Sequence, residues 1–282
     1  MLLRVLQFWS FIAPRKHGLP AIRAEGWPRG SIDHFILSGI EGANLTPAAG
    51  ADRRTLVRRA YLDLHGLPPT TEQTQAYVLD DRPDAWERLI DELLASPRYG
   101  ERWGRHWLDV ARYSDSNGMD EDIAHPEAWR YRDYVIRSFN QDKGFDDFIV
   151  EQIAGDLLPN DSLEQRRDQV AGLGFLSVGP KMLACDDPDK MRRDIVDEQL
   201  DTTGRAFMGM TLGCARCHDH KFDPISIEDY YGLAGIFLST KTLTKYTVVA
   251  HYHQYDLTDP EVADRWKAVS YTHLTLPTNR EV

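Results

Sequence analysis

Residues 213–224 read GCARCHDHKFDP, and within them Cys214, Cys217 and His218 form a C-x-x-C-H. Two thiols three residues apart can each add across a vinyl group of a haem. The adjacent histidine is then placed to ligate the iron, which makes this the attachment pattern of c-type haem. With 3 cysteines and 10 histidines in 282 residues, roughly 0.001 such patterns are expected by chance.

Three other readings of the same residues stay open. A bare C-x-x-C serves as a redox dithiol, usually on a βαβ scaffold. It also makes half of a zinc site, with His218 or His220 and the distant Cys185 completing the ligands. Buried cysteine is also common as plain packing.

A six-coordinate iron needs a second axial ligand, a methionine or a histidine. His106 is the favoured distal candidate. Met182, Met208, Met210, His251 and His253 are the others. Met208 and Met210 lie only a turn or two before Cys214, and His220 is too near His218 for easy trans ligation. The bland reading of His106 is a helix histidine bonded to Asp109 at i+3.

Around His106 stand Arg102, Arg105, Asp109, Arg112, Tyr113 and Asp115, and a second group holds Trp129, Arg130, Tyr131, Arg132 and Asp133. Arginines there could hold haem propionates or an anionic substrate. A salt-bridged helix surface backed by aromatics explains the same residues. Asp197, Asp201, Asp219 and Asp223 flank the cysteines, as a second metal or a hydrogen-bonded proximal histidine would require. Charge on a solvated helix fits them equally.

The elements that must position these groups read as helices. Trp86, Leu89, Ile90, Leu93 and Leu94 make one apolar stripe after Asp84, and Leu56, Val57, Ala60, Tyr61 and Leu64 make another. Ser96 and Pro97 are spaced as N-cap and first-turn proline, and Thr70 with Gln73 as a capping box. Further helices are expected over 98–114, 126–140, 145–156, 164–176, 189–212 and 227–239, with Pro126 and Ser226 marking N-termini. Only 246–255 leans towards β. The expected fold is an all-α, irregular multi-helix domain over 31–240, with an extended lead-in over 1–30. Residues 241–268 would start a following segment.

The chain carries 33 Lys and Arg against 44 Asp and Glu, a net charge of −11. That argues against a general nucleic-acid binder, which needs a basic face. With 42% hydrophobic and 27% charged residues it is globular in composition. No run approaches the ~20 apolar residues of a membrane-spanning helix. Residues 1–13 make a poor signal peptide, and a start inside a longer protein is the expected reading. Residues 269–282 (VSYTHLTLPTNREV) look like translated adaptor sequence, so His273 is no ligand candidate.

Several stretches carry a resemblance: WPRGSIDHFIL (27–37), DRRTLVRRAYLDLHGLPPT (52–70), ASPRYGERWGRHWLDVARYSDS (95–116) and AWRYRDYVIRSFN (128–140). FIVEQIAGDLLP (148–159), VDEQLDTTGRAFMGMTLGCARCHDHKFDPI (196–225) and DYYGLAGIF (229–237) continue it. The chain resembles a planctomycete cytochrome-related family of unknown function, the second cytochrome-like module of large exported proteins. The resemblance implies export to the cell envelope or periplasm, haem c as cofactor and electron transfer as the role. Adjacent cytochrome-like and family-specific domains would be its partners. It places Cys214 and Cys217 at the thioether positions and His218 as proximal ligand.

Two rivals follow from the residues. One is a metal- or haem-dependent oxidoreductase linked to carbohydrate breakdown, with an open metal position beside His106, Asp109 and Arg112. The other is a zinc-stapled structural or carbohydrate-adhesion module, with Cys214, Cys217 and His220 as ligands.

Overall fold

A computed structural model describes residues 11–119, 122–246 and 249–259. The adaptor-like 269–282 and most of the N-terminal apolar stretch therefore lie outside the described residues. Among those described, ten α-helices and one two-stranded antiparallel sheet follow one another along the chain. They are α1 (Ser31–Gly42), α2 (Arg53–Leu64), α3 (Thr71–Val78), α4 (Ala85–Leu94) and α5 (Pro97–Val110). Then come α6 (Ala128–Asn140), α7 (Phe145–Ala154), α8 (Leu163–Gly172), α9 (Pro188–Thr203) and α10 (Ile227–Ser239), followed by β1 (Leu243–Tyr246) and β2 (Ala250–Tyr252). The all-α expectation holds.

The chain divides into two compact units, Met1–Ile90 and Asp91–Val282, with α4 running across the boundary. In the first unit, Asp52 caps α2 by accepting from Thr55 N, and α3 starts on the reciprocal Thr70–Gln73 capping box. Arg53 ties the two helices together. Its guanidinium donates to the Tyr77 and Asp80 carbonyls and lies 4.3 Å from the Tyr77 ring centroid. Val57, Ala60, Tyr61 and Tyr77 are the buried side chains of these helices.

The second unit carries the cysteines. Its core gathers Tyr131, Tyr134 and Val135 of α6, Phe148 of α7, Phe175, Val196 and Leu200 of α9, and Tyr230 and Ala234 of α10. The Trp107, Tyr131 and Gln152 side chains form a hydrogen-bonded group there, as burial of polar atoms favours. Trp107 Nε1 donates to Gln152 Oε1 at 2.9 Å and to the Tyr131 hydroxyl at 3.0 Å, and that hydroxyl donates to Gln152 Oε1 at 2.6 Å. A second buried group joins Lys181, whose side chain is wholly enclosed, to Glu198 at 2.6 Å. Glu198 also takes an ion pair from Arg112 and a hydrogen bond from Thr202 Oγ1 at 3.0 Å.

Among the helices that end earlier than their patterns suggest are α5 and α9; α8 also stops at Gly172 rather than 176 and passes into a 3₁₀ turn over Leu173–Leu176. α5 stops at Val110 rather than near 114, because Arg112 turns to φ 56° and sends its side chain to the carbonyl and carboxylate of Glu198, 86 residues on. α9 stops at Thr203 rather than 212. Its backbone widens into a π turn over Gly204–Met208 and leaves the helix at Gly209, φ +63°. Gly204 permits the return, since a Cβ there would stand 2.5 Å from Leu212 Cγ and 2.9 Å from the Met210 carbonyl. The β-leaning stretch becomes part of the β1–β2 hairpin. Ala250 N donates to the Leu183 carbonyl at 2.7 Å, which holds the hairpin against the 183–184 segment.

Candidate functional site

Cys214 lies in a 3₁₀ turn, Leu212–Arg216, which Cys217 ends as its C-cap and which follows the π turn of α9 after residues 209–211. Side chains at i and i+3 of a 3₁₀ turn eclipse one another. Leu212 and Ala215 accordingly point into the core, both essentially unexposed, while Cys214 and Cys217 both face out as free, exposed thiols. The sequence therefore splits the turn cleanly into an anchoring face and a reactive face.

Three carboxylates of α9 hold this turn from below. Arg216 Nη1 binds Asp197 Oδ2 at 3.0 Å, and Nη2 binds Asp194 Oδ1 at 2.9 Å. Asp201 accepts from Gly213 N at 3.4 Å and from Arg205 Nε at 2.6 Å. From α10, the Tyr230 hydroxyl donates to Asp197 Oδ1 at 2.5 Å, and the Tyr231 hydroxyl donates to the Arg216 carbonyl at 3.2 Å. Burial pushes the Asp194 carboxyl upwards, but hydrogen bonds from Lys190 and Arg216 outweigh it and hold the group below the usual carboxylate range. Hydrogen bonding to Asp194, assisted by Asp197, raises the Arg216 guanidinium further. Burial and the bond to Asp197 push the Tyr230 phenol up.

The two neighbouring histidines have opposite roles in the geometry. His218 is exposed, and its Nδ1 lies 2.8 Å from the Asp219 carbonyl. A carbonyl can only accept, so Nδ1 carries the proton and Nε2 presents its lone pair outward. His220 is buried, 7% exposed. Its Nδ1 accepts from Asp223 N at 2.8 Å and Phe222 N at 3.2 Å, so the proton sits on Nε2, 2.9 Å from Thr211 Oγ1. Both of its ring nitrogens are used within the fold. Thr211 Oγ1 in turn lies 3.8 Å from Cys214 Sγ.

The flanking acids are used structurally as well. Asp219 Oδ1 caps the start of α10 by accepting from Ile227 N at 3.0 Å, and Asp223 Oδ2 lies 3.5 Å from His220 Nδ1. Among the described residues, no three His, Cys, Asp or Glu side chains come together in a way that could hold a metal ion. Cys214, Cys217 and His220 are thus not assembled as a ligand set, and Cys185 sits apart, against the Leu183, Met191 and Leu243 cluster.

The distal-ligand candidates are dispersed. His106 is exposed on α5 with its ring 5.5 Å from Trp103. Met208 is exposed at the end of the π turn, while Met182 and Met210 are half-buried. His251 is exposed on β2, and His253 packs edge-on against Tyr255 at 4.7 Å. Several of the polar residues grouped with His106 in the sequence form local pairs. Arg130 pairs with Glu127 and Arg132 with Asp133, Tyr113 donates to Asp115, and Tyr131 is buried. Arg112 has left the α5 surface for Glu198, a contact that no local pattern in the sequence signals. The latch of Arg216 on Asp194 and Asp197 was barely signalled there. Its only signal was an i, i+3 acidic pair on α9 preceding the motif.

The family model described as PSCyt2, protein of unknown function (DUF1549), matches residues 31–242. No curated protein and no solved structure matches the chain.

Proposed function

The chain belongs to the PSCyt2 family, and from that premise and the geometry of the cysteine turn we propose that it is a haem-c-binding module serving electron transfer. One observation carries the reading. Cys214 and Cys217 share one exposed face, beside an exposed His218 whose tautomer leaves Nε2 free. Those are the three groups that covalent attachment and proximal ligation require.

The residues present fit the group. Cys214 and Cys217 Sγ would form the two thioethers, and His218 Nε2 would take the iron. The Asp219 carbonyl orients the imidazole and strengthens it as a ligand by accepting from Nδ1. Haem, when bound, supplies a reversible one-electron store. Leu212 and Ala215 anchor the turn, and His220 ties the following loop to Thr211. Attachment outside the cytoplasm would place the module in the cell envelope. Adjacent domains of a longer protein would then be its electron partners. The zinc alternative has less support, because both nitrogens of His220 are already engaged.

The test is a pyridine haemochrome spectrum of the full chain, exported behind a signal peptide in cells with a haem-c maturation system. About one covalent haem per chain is expected, lost in the Cys214→Ala, Cys217→Ala double variant. Folded, colourless wild-type protein would overturn the reading.

A further inference from the structure

We propose that Arg216, the second residue between the two cysteines, is a positioning residue that fixes the face and separation of the thiol pair. The inference rests on the haem reading for the natural ligand of those thiols, but its geometric content stands without it. The C-x-x-C-H pattern leaves both intervening positions unrestricted, so nothing in attachment chemistry itself calls for an arginine. Here one intervening residue, Ala215, is a small buried plug. The other reaches in two directions at once.

The side chain of Arg216 spans two carboxylates one turn apart on α9, at 2.9 and 3.0 Å. Its main-chain carbonyl is held from α10 by Tyr231 at 3.2 Å. Asp197 is itself steadied by Tyr230. Arg216 is therefore tied to both helices that flank the turn, and Cys217 follows it directly. A single 3₁₀ turn has few hydrogen bonds of its own and weak geometry. Leu212 and Ala215 fix which face is buried, while the rotation of the outer face depends on the latch. A planar guanidinium can satisfy both carboxylates; a lysine ammonium is a point charge that serves one well. Loss of the arginine also leaves Asp197 with no cation among the described residues, whereas Asp194 keeps Lys190 at 2.5 Å.

The experiment uses phenylarsine oxide on the haem-free full chain. The reagent bridges two thiols by forming two As–S bonds with loss of one water, so both sulfurs must reach one arsenic. Its affinity reports how well the pair is preorganised, as an effective concentration. Wild type is expected to bind tightly, Arg216→Ala about tenfold more weakly, and Arg216→Lys in between, with circular dichroism unchanged. In haem-loaded protein, Arg216→Ala should raise the fraction of chains with one thioether rather than two, read by mass and by the haemochrome band of the residual vinyl. Equal arsenical affinity in wild type and a folded Arg216→Ala would overturn the inference, as would failure of wild type to bind the arsenical through both thiols. If Arg216→Ala does not fold, Asp194→Asn, which leaves the Asp197 contact, decides by the same comparison. A folded, colourless wild type after export would refute the haem reading alone, and the arsenical comparison would still decide the latch.

Discussion

Replacing Glu198 by glutamine should be among the most damaging single changes in the second unit. The carboxylate is 11% exposed and faces a Lys181 side chain with no exposure, so little solvent screens the pair. Burial lowers the Lys181 ammonium below the ordinary lysine range, with the Glu198 charge opposing that drop. The amide of Glu198→Gln keeps the shape and a carbonyl for Thr202. It leaves Lys181 without a counter-ion and Arg112 with only neutral acceptors, the retained amide oxygen and the Glu198 main-chain carbonyl. Removing one partner of a buried pair costs about 3–5 kcal/mol. For a unit of this size that is a fall of roughly 6–20 °C in melting temperature. Urea denaturation at pH 7 measures it, with Lys181→Met and the double variant closing the cycle. The double variant should be more stable than Glu198→Gln alone, because no uncompensated ammonium is then buried, and the coupling should be about 1–3 kcal/mol. The pH dependence has a definite sign. A lysine whose folded pKa is depressed holds fewer protons folded than unfolded, so stability rises with pH from the depressed value towards about 10.5. The deficit of Glu198→Gln should shrink on raising the pH from 7 to 10. A loss under 1 kcal/mol at pH 7, or strict additivity in the cycle, would refute the reasoning.

Other changes test the packing and the latch. Gly204→Ala places a Cβ 2.5 Å from Leu212 Cγ and 2.9 Å from the Met210 carbonyl. It should cost about 1–3 kcal/mol by thermal melting, and an unchanged melting temperature would show that the turn relaxes freely. Gln152→Leu strands Trp107 Nε1 and the Tyr131 hydroxyl with only each other; about 1–3 kcal/mol should be lost in urea, followed by tryptophan fluorescence. Asp194 is held below the usual carboxylate range, so its stabilisation is present above about pH 4 and fades as pH falls through the depressed value. Asp194→Asn should accordingly flatten the acid limb of the stability profile, and an acid limb identical to wild type would count against the latch. His220→Asn retains an acceptor for the Phe222 and Asp223 amides, so covalent haem should persist. His218→Ala should alter the axial-ligand bands; identical spectra in wild type and His218→Ala would remove His218 as the ligand.

Much of the helical fold was legible because its signals are local. Thr70–Gln73 forms the capping box its spacing suggests, with bonds of 2.8 and 3.2 Å, and Ser96 caps α5 ahead of Pro97. Ser226 starts α10 by accepting from Asp229 N. The ends of helices were less legible. α6 begins at Ala128, and its N-cap Glu127 makes no side-chain cap bond, so Pro126 marks the approach rather than the first turn. Arg112 takes a left-handed conformation without being glycine, and the bonds that stabilise it come from Glu198, far along the chain. No window of local sequence contains that information. The premature end of α9 was half-written in Gly204 and Gly209, but apolar periodicity through Phe207 and Met210 concealed it.

At the candidate site the sequence offered two histidines two residues apart and no means of ranking their chemistry. The discrimination comes from what the main chain does next. The chain turns back at 222–223 and aims two amide N–H groups at Nδ1 of His220, which fixes its proton on Nε2 and commits the ring to Thr211. The same loop gives His218 a carbonyl instead of an amide, which reverses the tautomer and leaves Nε2 facing out. One backbone course therefore assigns opposite capacities to identical side chains. The aspartates around the motif follow the same logic. Asp194 and Asp197 neutralise Arg216, Asp201 engages Arg205 and Gly213 N, and Asp219 caps α10. Each is engaged within the fold, while the thiols and His218 are exposed.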